Sequence, residues 1–115
     1  MKLPEKCPTC LECSGYIRPD FVLFTESLPG DEWSNAYRAV SNADEGDVML
    51  IIGTSAVVYP AAELPEIASR SNVKIIEINL QSTSYSTLEN YSFIEGKAGE
   101  ILPIILEEIK SQSSL

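Results

Sequence analysis

The sequence predicts an α/β fold: a parallel sheet of three to four strands, flanked by helices and preceded by a small cysteine-containing segment. Two observations indicate this fold class. Val48–Ile52 is a continuous apolar run of the kind found in strands buried on both faces of a parallel sheet. Downstream of the cysteines, strand and helix patterns alternate along the chain, which is typical of parallel strands joined by crossover helices.

The elements on the N-terminal side of Val48 follow from short local patterns. Phe21–Phe24 is an apolar run that predicts a strand. Glu32–Ala43 is predicted to be a helix, with Asp31 as its N-cap and Gly46 as its stop. Its apolar residues recur at helical spacing and are Trp33, Ala36, Tyr37, Val40 and Ala43.

Two more elements follow Val48–Ile52. Ala61–Ser71 predicts a helix with Pro60 in its first turn. Pro65 lies inside this span and predicts a kink or a late start, because proline lacks the amide hydrogen that a helix interior needs. Val73–Ile78 is largely apolar and rich in β-branched residues, and it predicts the next strand.

The last part of the chain completes the pattern. Leu80–Asn90 is a polar loop that holds a short helix or turn, and Tyr91–Glu95 predicts a short strand. Glu100–Lys110 is the closing helix, with Pro103 in its first turn, and Ser111–Leu115 is a frayed tail. The resulting order of strands and helices is that of one mononucleotide-binding half of a Rossmann-like sheet.

The charge and hydropathy of the chain exclude two kinds of partner. The 115 residues include 8 Lys and Arg and 17 Asp and Glu, which gives a net charge of −9 and argues against binding to nucleic acid. No apolar run is long enough to span a membrane, and Met1–Lys6 lacks a signal-peptide core. We therefore expect no membrane association and a cytoplasmic location.

The three cysteines, Cys7, Cys10 and Cys13, form a C-x2-C-x2-C pattern. A disulfide framework is not expected, because no cysteine lies downstream to pair with them. The spacing favours a metal site, for zinc or for an iron–sulfur cluster, but three thiols and no histidine leave that site one ligand short of four. A second chain would supply the missing ligand, or a carboxylate of this chain, such as Glu5, Glu12 or Asp20.

Two polar segments are predicted to meet at one edge of the sheet. Gly53, Thr54 and Ser55 come directly after Val48–Ile52, and Asn79 follows the next strand. Right-handed crossovers place both at the carboxyl ends of parallel strands, where open α/β sheets hold ligands. Glycine, hydroxyl groups and free amides suit a phosphate or a ribose. Each segment alone is also a common turn, and the chain contains neither a Walker A motif nor a G-x-G-x-x-G pattern.

Five segments, taken together, match the motifs of one known family. In chain order they are Cys10–Cys13 with Ile17–Asp20, Phe21–Glu26, Gly53–Ala61, Ile78–Thr83 and Gly96–Glu100. The most specific is Gly53–Ala61, which is similar to a G-T-S-L-x-V-x-P-A loop. On these motifs the chain resembles the C-terminal portion of a sirtuin, the family of NAD-dependent protein deacylases. The resemblance implies a remnant of a zinc-binding module over residues 1–19, a Rossmann-like NAD-binding half over 20–111 and a tail over 112–115.

The resemblance also implies roles for individual residues. It implies that NAD is held by Gly53, Thr54, Ser55, Asn79, Leu80, Gln81 and Ala98. It implies that an acyl-lysine peptide is held by strand addition, with Val22, Phe24 and Glu26 on one side and Val58 on the other. It implies that Cys10 and Cys13 are two of four zinc ligands, with Cys7 available to replace a lost one.

The chain departs from the family in ways that bear on activity. The glycine-rich NAD loop, the catalytic histidine and the first C-x2-C of the family are absent from the sequence. Thr25 stands where the family has glycine, Gln81 where it has glutamate, and Ala56 where it has leucine. Without a histidine, no residue serves as general base toward the ribose hydroxyl. We therefore expect the chain alone to be inactive as a deacylase.

Three interpretations of function remain open on the sequence. The chain is a fragment or subunit of a split sirtuin whose other part carries the missing motifs, or it is a non-catalytic module that binds NAD or ADP-ribose. The third interpretation is a structural remnant that associates with itself. Under all three, an unpaired strand at the edge of the sheet is expected to pair with a partner, most simply as a homodimer.

Overall fold

The computed structural model describes residues 6–113 of the chain. These residues belong to two compact units, one that ends at Gly30 and one that begins at Asp31. Residues 1–5, which include the candidate ligand Glu5, and residues 114–115 of the predicted tail lie outside the described residues. None of the described helices is long and apolar enough to cross a membrane.

The second unit contains three parallel strands. They are β1 (Val48–Ile52), β2 (Lys74–Asn79) and β3 (Tyr91–Glu95), and they lie side by side in that order. Ile52 pairs with Ile78, so β1 and β2 finish at the same edge of the sheet. The predicted bounds of β1 and β3 are confirmed, and β2 lies one residue further along the chain than predicted.

Helices and short 3₁₀ turns connect the strands. The helices are α1 (Gly30–Ser41), α2 (Leu64–Arg70) and α3 (Ala98–Ser113), and the 3₁₀ turns are Ala61–Glu63 and Ser84–Thr87. Pro65 lies in the first turn of α2, which confirms the late start predicted from this proline. The turn at Ser84–Thr87 is the short helix predicted in the loop after β2.

Three predictions about helix ends were wrong. α1 ends at Ser41, so Gly46 is not its stop. Asp31 does not cap α1 but lies inside its first turn, where the positive end of the helix dipole favours a carboxylate. Pro103 lies in the interior of α3, because the helix starts earlier than predicted and continues into the predicted tail. Gly99 and Pro103 are both exposed, so the Gly99 carbonyl, which lacks its helical donor, lies in a solvent-accessible part of the helix.

The main buried cluster of the second unit lies on one face of the sheet, while the buried Ile78 lies on the other. Ile51 and Ile75 from the strands, Ala68 from α2 and Tyr85 from the second 3₁₀ turn belong to one buried cluster. The Tyr85 hydroxyl donates to the carbonyl of Ala62 at 3.0 Å. The ring therefore contributes apolar surface to the core while its polar end is satisfied.

The opposite face of β1 is exposed, which corrects the prediction that this strand is buried on both faces. Val48, Leu50 and Ile52 retain 56%, 47% and 41% of their accessible surface. β1 is also the edge strand of the described sheet. Its apolar sequence fits a strand that is covered on both faces, and residues 6–113 cover it on one.

The N-terminal unit has little regular structure. Thr9 and Tyr16 form an isolated antiparallel bridge, and the Cys10 amide donates to the Gly15 carbonyl at 2.8 Å. The prediction of a strand at Phe21–Phe24 was wrong, since this segment is irregular and ends in a turn. An apolar run forms a strand only where another strand pairs with it. Within residues 6–30, no strand pairs with the segment Phe21–Phe24.

The Glu26 carboxylate links several parts of this irregular segment through hydrogen bonds. The Arg18 guanidinium donates two hydrogen bonds to the Glu26 carboxylate, one of them at 2.9 Å, and a third to the Phe21 carbonyl at 2.7 Å. The Leu23 amide donates to the same carboxylate at 2.9 Å. Hydrogen bonding from Arg18, and then from the Leu23 amide, holds the pKa of Glu26 below its usual value. Glu26 therefore stabilises this segment in addition to its predicted role in binding a peptide.

Thr25 has an unusual backbone conformation within this segment. Its φ is 76°, in a turn closed by a 3.1 Å hydrogen bond from the Glu26 amide to the Leu23 carbonyl. A positive φ at the third residue of a turn is typical of type II turns and is adopted without strain by glycine. A β-branched residue is strained there. The position at which the sequence departs from the sirtuin glycine is thus one where glycine fits the backbone better.

Thr25→Gly is expected to stabilise this turn by about 1 kcal/mol, because relief of strain outweighs the extra freedom of glycine in the unfolded chain. Solvent exchange of the Glu26 amide hydrogen, followed by NMR, should slow by about fivefold. Thr25→Ala is the matched control, since it removes the β-branch but keeps a Cβ at positive φ, and it should give an intermediate rate. An unchanged or faster exchange in the glycine variant would show that Thr25 is not strained.

Candidate functional site

Polar residues line an open cleft at the edge where β1 and β2 end. The cleft has a volume of about 540 Å³. It is lined by Gly53, Thr54, Ser55, Asn79, Leu80, Gln81, Ser82 and Thr83. The fold thus brings together all but one of the residues that the sequence nominated for NAD binding, the exception being Ala98.

The first wall of the cleft is the loop that leaves β1. Gly53 has a φ of 61°, a conformation that glycine adopts without a steric penalty, and its amide donates to the Ile78 carbonyl at 3.1 Å. The Thr54 hydroxyl accepts a hydrogen bond from the Ala56 amide at 3.3 Å, while Ser55 is exposed. The loop is therefore attached to the end of β2. The Thr54 hydroxyl is used within the loop, and the Ser55 hydroxyl is exposed to solvent.

The second wall of the cleft is the segment that leaves β2, from Leu80 to Thr83, and Asn79 joins the two walls. Its Nδ2 donates to the Thr54 carbonyl at 2.7 Å and to Glu77 Oε1 at 3.1 Å, and its Oδ1 accepts from the Leu80 amide at 2.9 Å. Both amide hydrogens are thus used within the protein, and Oδ1 keeps one lone pair. A ligand group that binds to that oxygen must be a hydrogen-bond donor, such as a hydroxyl.

Glu77 is a residue of this site that the sequence analysis missed. Its side chain is fully buried. Oε2 accepts from the Tyr91 hydroxyl at 2.7 Å, the Thr83 hydroxyl at 3.0 Å and the Thr83 amide at 3.2 Å. With the bond from Asn79, four hydrogen bonds converge on one carboxylate. The available signal was a lone acidic residue among the apolar residues of β2, two positions before the cleft.

These hydrogen bonds keep Glu77 ionised at neutral pH. Burial by itself would raise the pKa of Glu77, but the bonds from Tyr91, Asn79 and Thr83 stabilise the charged form more strongly and hold the pKa below its usual value. The pKa of Tyr91 is raised to about 12, by burial first and then by the hydrogen bond and charge of Glu77. Tyr91 therefore remains a neutral donor to an anionic acceptor.

Ala98 lies at the start of α3 and does not line the cleft. The turn before it is nevertheless attached to the second wall, because the Gly96 amide donates to the Asn79 carbonyl at 3.0 Å. A Cβ at Gly96 would lie 2.8 Å from the Ile101 side chain, so this turn has room only for glycine unless Ile101 shifts.

The residues nominated for peptide binding fall in both units. Val22, Phe24 and Glu26 are exposed in the N-terminal unit. Val58 is exposed in the second unit, where it lines an apolar groove of about 350 Å³ beside β1. The other side chains along this groove include Leu50 of β1.

Comparison with known proteins decides the family. A sequence model of the Sir2 family matches residues 1–60, just over half of the chain. The chain belongs to the Sir2 family. The resemblance to sirtuins drawn from the five motifs is therefore confirmed.

The matched Sir2 relatives are longer than this chain. NAD-dependent protein deacylase 2 of Pyrobaculum aerophilum is 44% identical over 106 residues, which are 92% of this chain and 41% of that protein. A Sir2 homologue–NAD complex has a TM-score of 0.81 and 39% identity, over 94% of this chain and 41% of that one. A Sir2–p53 peptide–NAD+ complex has a TM-score of 0.75 and 36% identity, over 89% of this chain and 41% of that one. These matches confirm the Rossmann-like fold, and the chain spans about two fifths of the proteins it matches.

Membership of the Sir2 family raises the question of whether the cysteines fit a metal ion. Hydrogen bonds from the Cys13 amide, the Glu12 amide and the Cys13 thiol lower the pKa of Cys10, which favours a thiolate. Among residues 6–113, however, no three His, Cys, Asp or Glu side chains lie close enough together to hold a metal ion. Cys7, Glu12 and Asp20 do not complete a site with Cys10 and Cys13. The described residues thus fit at most part of a four-ligand zinc site.

Glu77→Gln is expected to lower the free energy of unfolding at neutral pH by about 1–3 kcal/mol, because an amide cannot accept all four hydrogen bonds. The pKa of Glu77 is lower in the folded than in the unfolded state. The stabilisation of the folded state by ionised Glu77 is therefore present above the usual glutamate pKa. It is lost as the pH falls through the folded-state pKa. The stability difference between wild type and variant should shrink in acid, as measured by urea unfolding at several pH values.

Tyr91→Phe is the matched control for this measurement. It removes one of the four hydrogen bonds but keeps the carboxylate, so the variant should retain the direction of the wild-type pH dependence. Parallel pH profiles for wild type and Glu77→Gln would contradict the assignment of Glu77 as a buried carboxylate that is ionised in the folded state.

Proposed function

We propose that this chain forms the nucleotide-binding part of an NAD-dependent protein deacylase. The observation that carries the proposal is the cleft at the ends of β1 and β2, where a glycine turn, exposed hydroxyls and backbone amides meet. Such strand ends are where open α/β sheets hold nucleotides. The relatives support it, since they include an NAD-dependent protein deacylase and complexes with NAD.

In this proposal each wall of the cleft takes a different part of NAD. Gly53, Thr54 and Ser55 lie against the phosphates and the adjoining ribose, Asn79, Leu80 and Gln81 face the adenosine ribose, and Ala98 lies near the adenine. No Lys or Arg of residues 6–113 lines the cleft. The phosphates are therefore met by amide and hydroxyl dipoles rather than by cations, which favours modest affinity for the nucleotide alone.

An acyl-lysine peptide is the proposed second substrate. The Sir2–p53 peptide–NAD+ complex is a relative that contains a peptide. The proposed peptide contacts of this chain are Val22, Phe24 and Glu26 in the N-terminal unit and Val58 in the second unit. Because the segment from Phe21 to Phe24 is not a strand in this chain, strand addition would require it to become extended as it forms backbone hydrogen bonds with the peptide.

Catalysis in this proposal needs residues that the chain lacks. The sequence contains no histidine, so it has no imidazole to serve as general base. We propose that Cys10 and Cys13 contribute two zinc ligands and that the remaining ligands come from outside the described residues. The proposed location, the cytoplasm, rests on the sequence argument alone.

A non-catalytic module for NAD or ADP-ribose is the second candidate function. It is favoured by the position of the cleft, whose lining residues all belong to the second unit of this chain. The two candidates predict the same binding by the isolated chain. They differ in the effect of a Sir2 chain that carries the histidine and the glycine-rich loop, which restores deacylation only if this chain is part of a split enzyme.

The exposed face of β1 is the proposed surface for a partner. Val48, Leu50 and Ile52 present an apolar strip on an edge strand, whose outer backbone groups are positioned to pair with another strand. We propose that the edge of β1 pairs with the same edge of a second copy in the isolated chain, through a two-fold axis that makes the two strands antiparallel and sets their apolar strips side by side. In a split enzyme, the part of the relatives that this chain lacks would occupy the same surface.

The purified chain is expected to bind ADP-ribose and NAD saturably in calorimetric titrations. Ser55→Ala should weaken binding by roughly 3- to 10-fold, because it removes one hydrogen bond to the ligand. Ser92→Ala is the matched control, since Ser92 is exposed on β3 but does not line the cleft. It should leave the affinity unchanged.

Two results would overturn this account of the isolated chain. Absence of binding into the millimolar range would show that the cleft does not hold a nucleotide on its own. Release of nicotinamide from NAD, dependent on an acetyl-lysine peptide, would show that the chain is catalytically complete without a histidine.

Sedimentation velocity tests the proposed surface. Wild type should associate with rising concentration, and more strongly with added salt, because each copy carries a net charge of −9. Leu50→Arg should be monomeric, because it places a charge in the apolar strip. Ile104→Arg, at an exposed site on α3, is the matched control and should associate like wild type. A wild type that is monomeric throughout would exclude the homodimer and leave the surface to the missing Sir2 segment.

A further inference from the structure

Glu77 is a buried carboxylate that forms no ion pair within the described part of the chain. Its register partners are Ile51 on β1 and Phe93 on β3, so an apolar side chain would suit this position. A buried charge is costly unless hydrogen bonds compensate it, and an apolar replacement is often no less stable. The presence of glutamate here therefore calls for a role other than filling the core.

The hydrogen bonds of Glu77 lead to both walls of the cleft. Oε2 accepts from the amide and hydroxyl of Thr83, which lines the second wall. Oε1 accepts from Asn79 Nδ2, and the same nitrogen donates to the Thr54 carbonyl in the first wall. One carboxylate is thus connected directly to one wall and through a single side chain to the other.

We propose that Glu77 is the positioning residue of the nucleotide cleft, setting the distance between its walls and the orientation of the Asn79 amide. The proposal rests on the proposed function for its effect on ligand affinity. With an anion at Oε1, Asn79 can direct only its NH₂ group toward Glu77, so its carbonyl oxygen is left toward Leu80. The Thr54 carbonyl and the Leu80 amide favour the same orientation, so Glu77 is one of three contacts that fix an acceptor in the cleft. A neutral amide at position 77 can turn either its oxygen or its NH₂ group toward Asn79, and would weaken that contact.

A purely structural role for Glu77 makes a different prediction. If the carboxylate only stabilises the sheet, its loss should act like any core defect of similar size and loosen the whole unit evenly. If it positions the cleft, its loss should act first on the two walls, even where global stability is matched by another variant. Val73→Ala is a suitable comparison, because Val73 is buried in the core cluster and does not line the cleft.

The experiment compares wild type, Glu77→Gln and Val73→Ala at equal free energy of unfolding. Urea unfolding curves at several temperatures give, for each protein, the temperature at which that value is reached. Amide hydrogen exchange without ligand should accelerate by about tenfold at Ala56 and Thr83 in Glu77→Gln alone. Titration with ADP-ribose should give a Kd raised by about tenfold in Glu77→Gln and by less than about twofold in Val73→Ala.

Thr83→Val provides a second variant in case Glu77→Gln does not fold. It removes the Thr83 hydroxyl that donates to Glu77 while keeping the shape of the side chain, and it should raise the Kd by about threefold. Equal effects of Glu77→Gln and Val73→Ala on exchange and on affinity would overturn the positioning role. If wild type does not bind ADP-ribose, the proposed function fails, and exchange at Ala56 and Thr83 still decides whether Glu77 positions the walls.

Discussion

The parallel pairing of β1 with β2 is the constraint on which the cleft depends. Because Ile52 is paired with Ile78, both strands end at one edge, and the Gly53 amide continues the pairing by one further hydrogen bond. The hydrogen bond between Thr54 and Asn79, which are 25 residues apart, is made only after the strands have aligned. A slip of one residue in β2 would turn Glu77 and Asn79 to the other face of the sheet and remove the cleft.

Stability and site geometry are coupled through the same carboxylate. Glu77 is buried and anionic, and four hydrogen bonds compensate the cost of removing it from water. Three of those bonds come from Asn79 and Thr83, which line the cleft, and the fourth comes from Tyr91 in β3. The sheet therefore supports the site through polar contacts as well as through packing.

The sequence was sufficient to predict the three strands of the sheet and most of the cleft. Local patterns predicted the strands, Gly53–Ser55 and Asn79, and the resemblance to sirtuins added Leu80 and Gln81. Apolar runs predicted β1 and β3, and the motif after β1 together with Asn79 predicted where the polar loops meet. Contacts between residues far apart in the sequence could not be predicted from it. The hydrogen bond from Tyr91 to Glu77 joins two strands, and nothing near Glu77 in the sequence indicates it. Phe21–Phe24 and the outer face of β1 were misjudged for a shared reason, since an apolar run does not reveal whether a neighbour is present to cover it.

The most direct test of the central claim is an NMR titration of the ¹⁵N-labelled chain with ADP-ribose. Binding in the cleft should shift the amide signals of Gly53–Ser55 and Leu80–Thr83 saturably, with one common dissociation constant. The signals of Val48 and Leu50, on the exposed face of β1, should stay in place. Shifts confined to other parts of the chain, or no shifts at millimolar ligand, would contradict the assignment of this cleft as the nucleotide site.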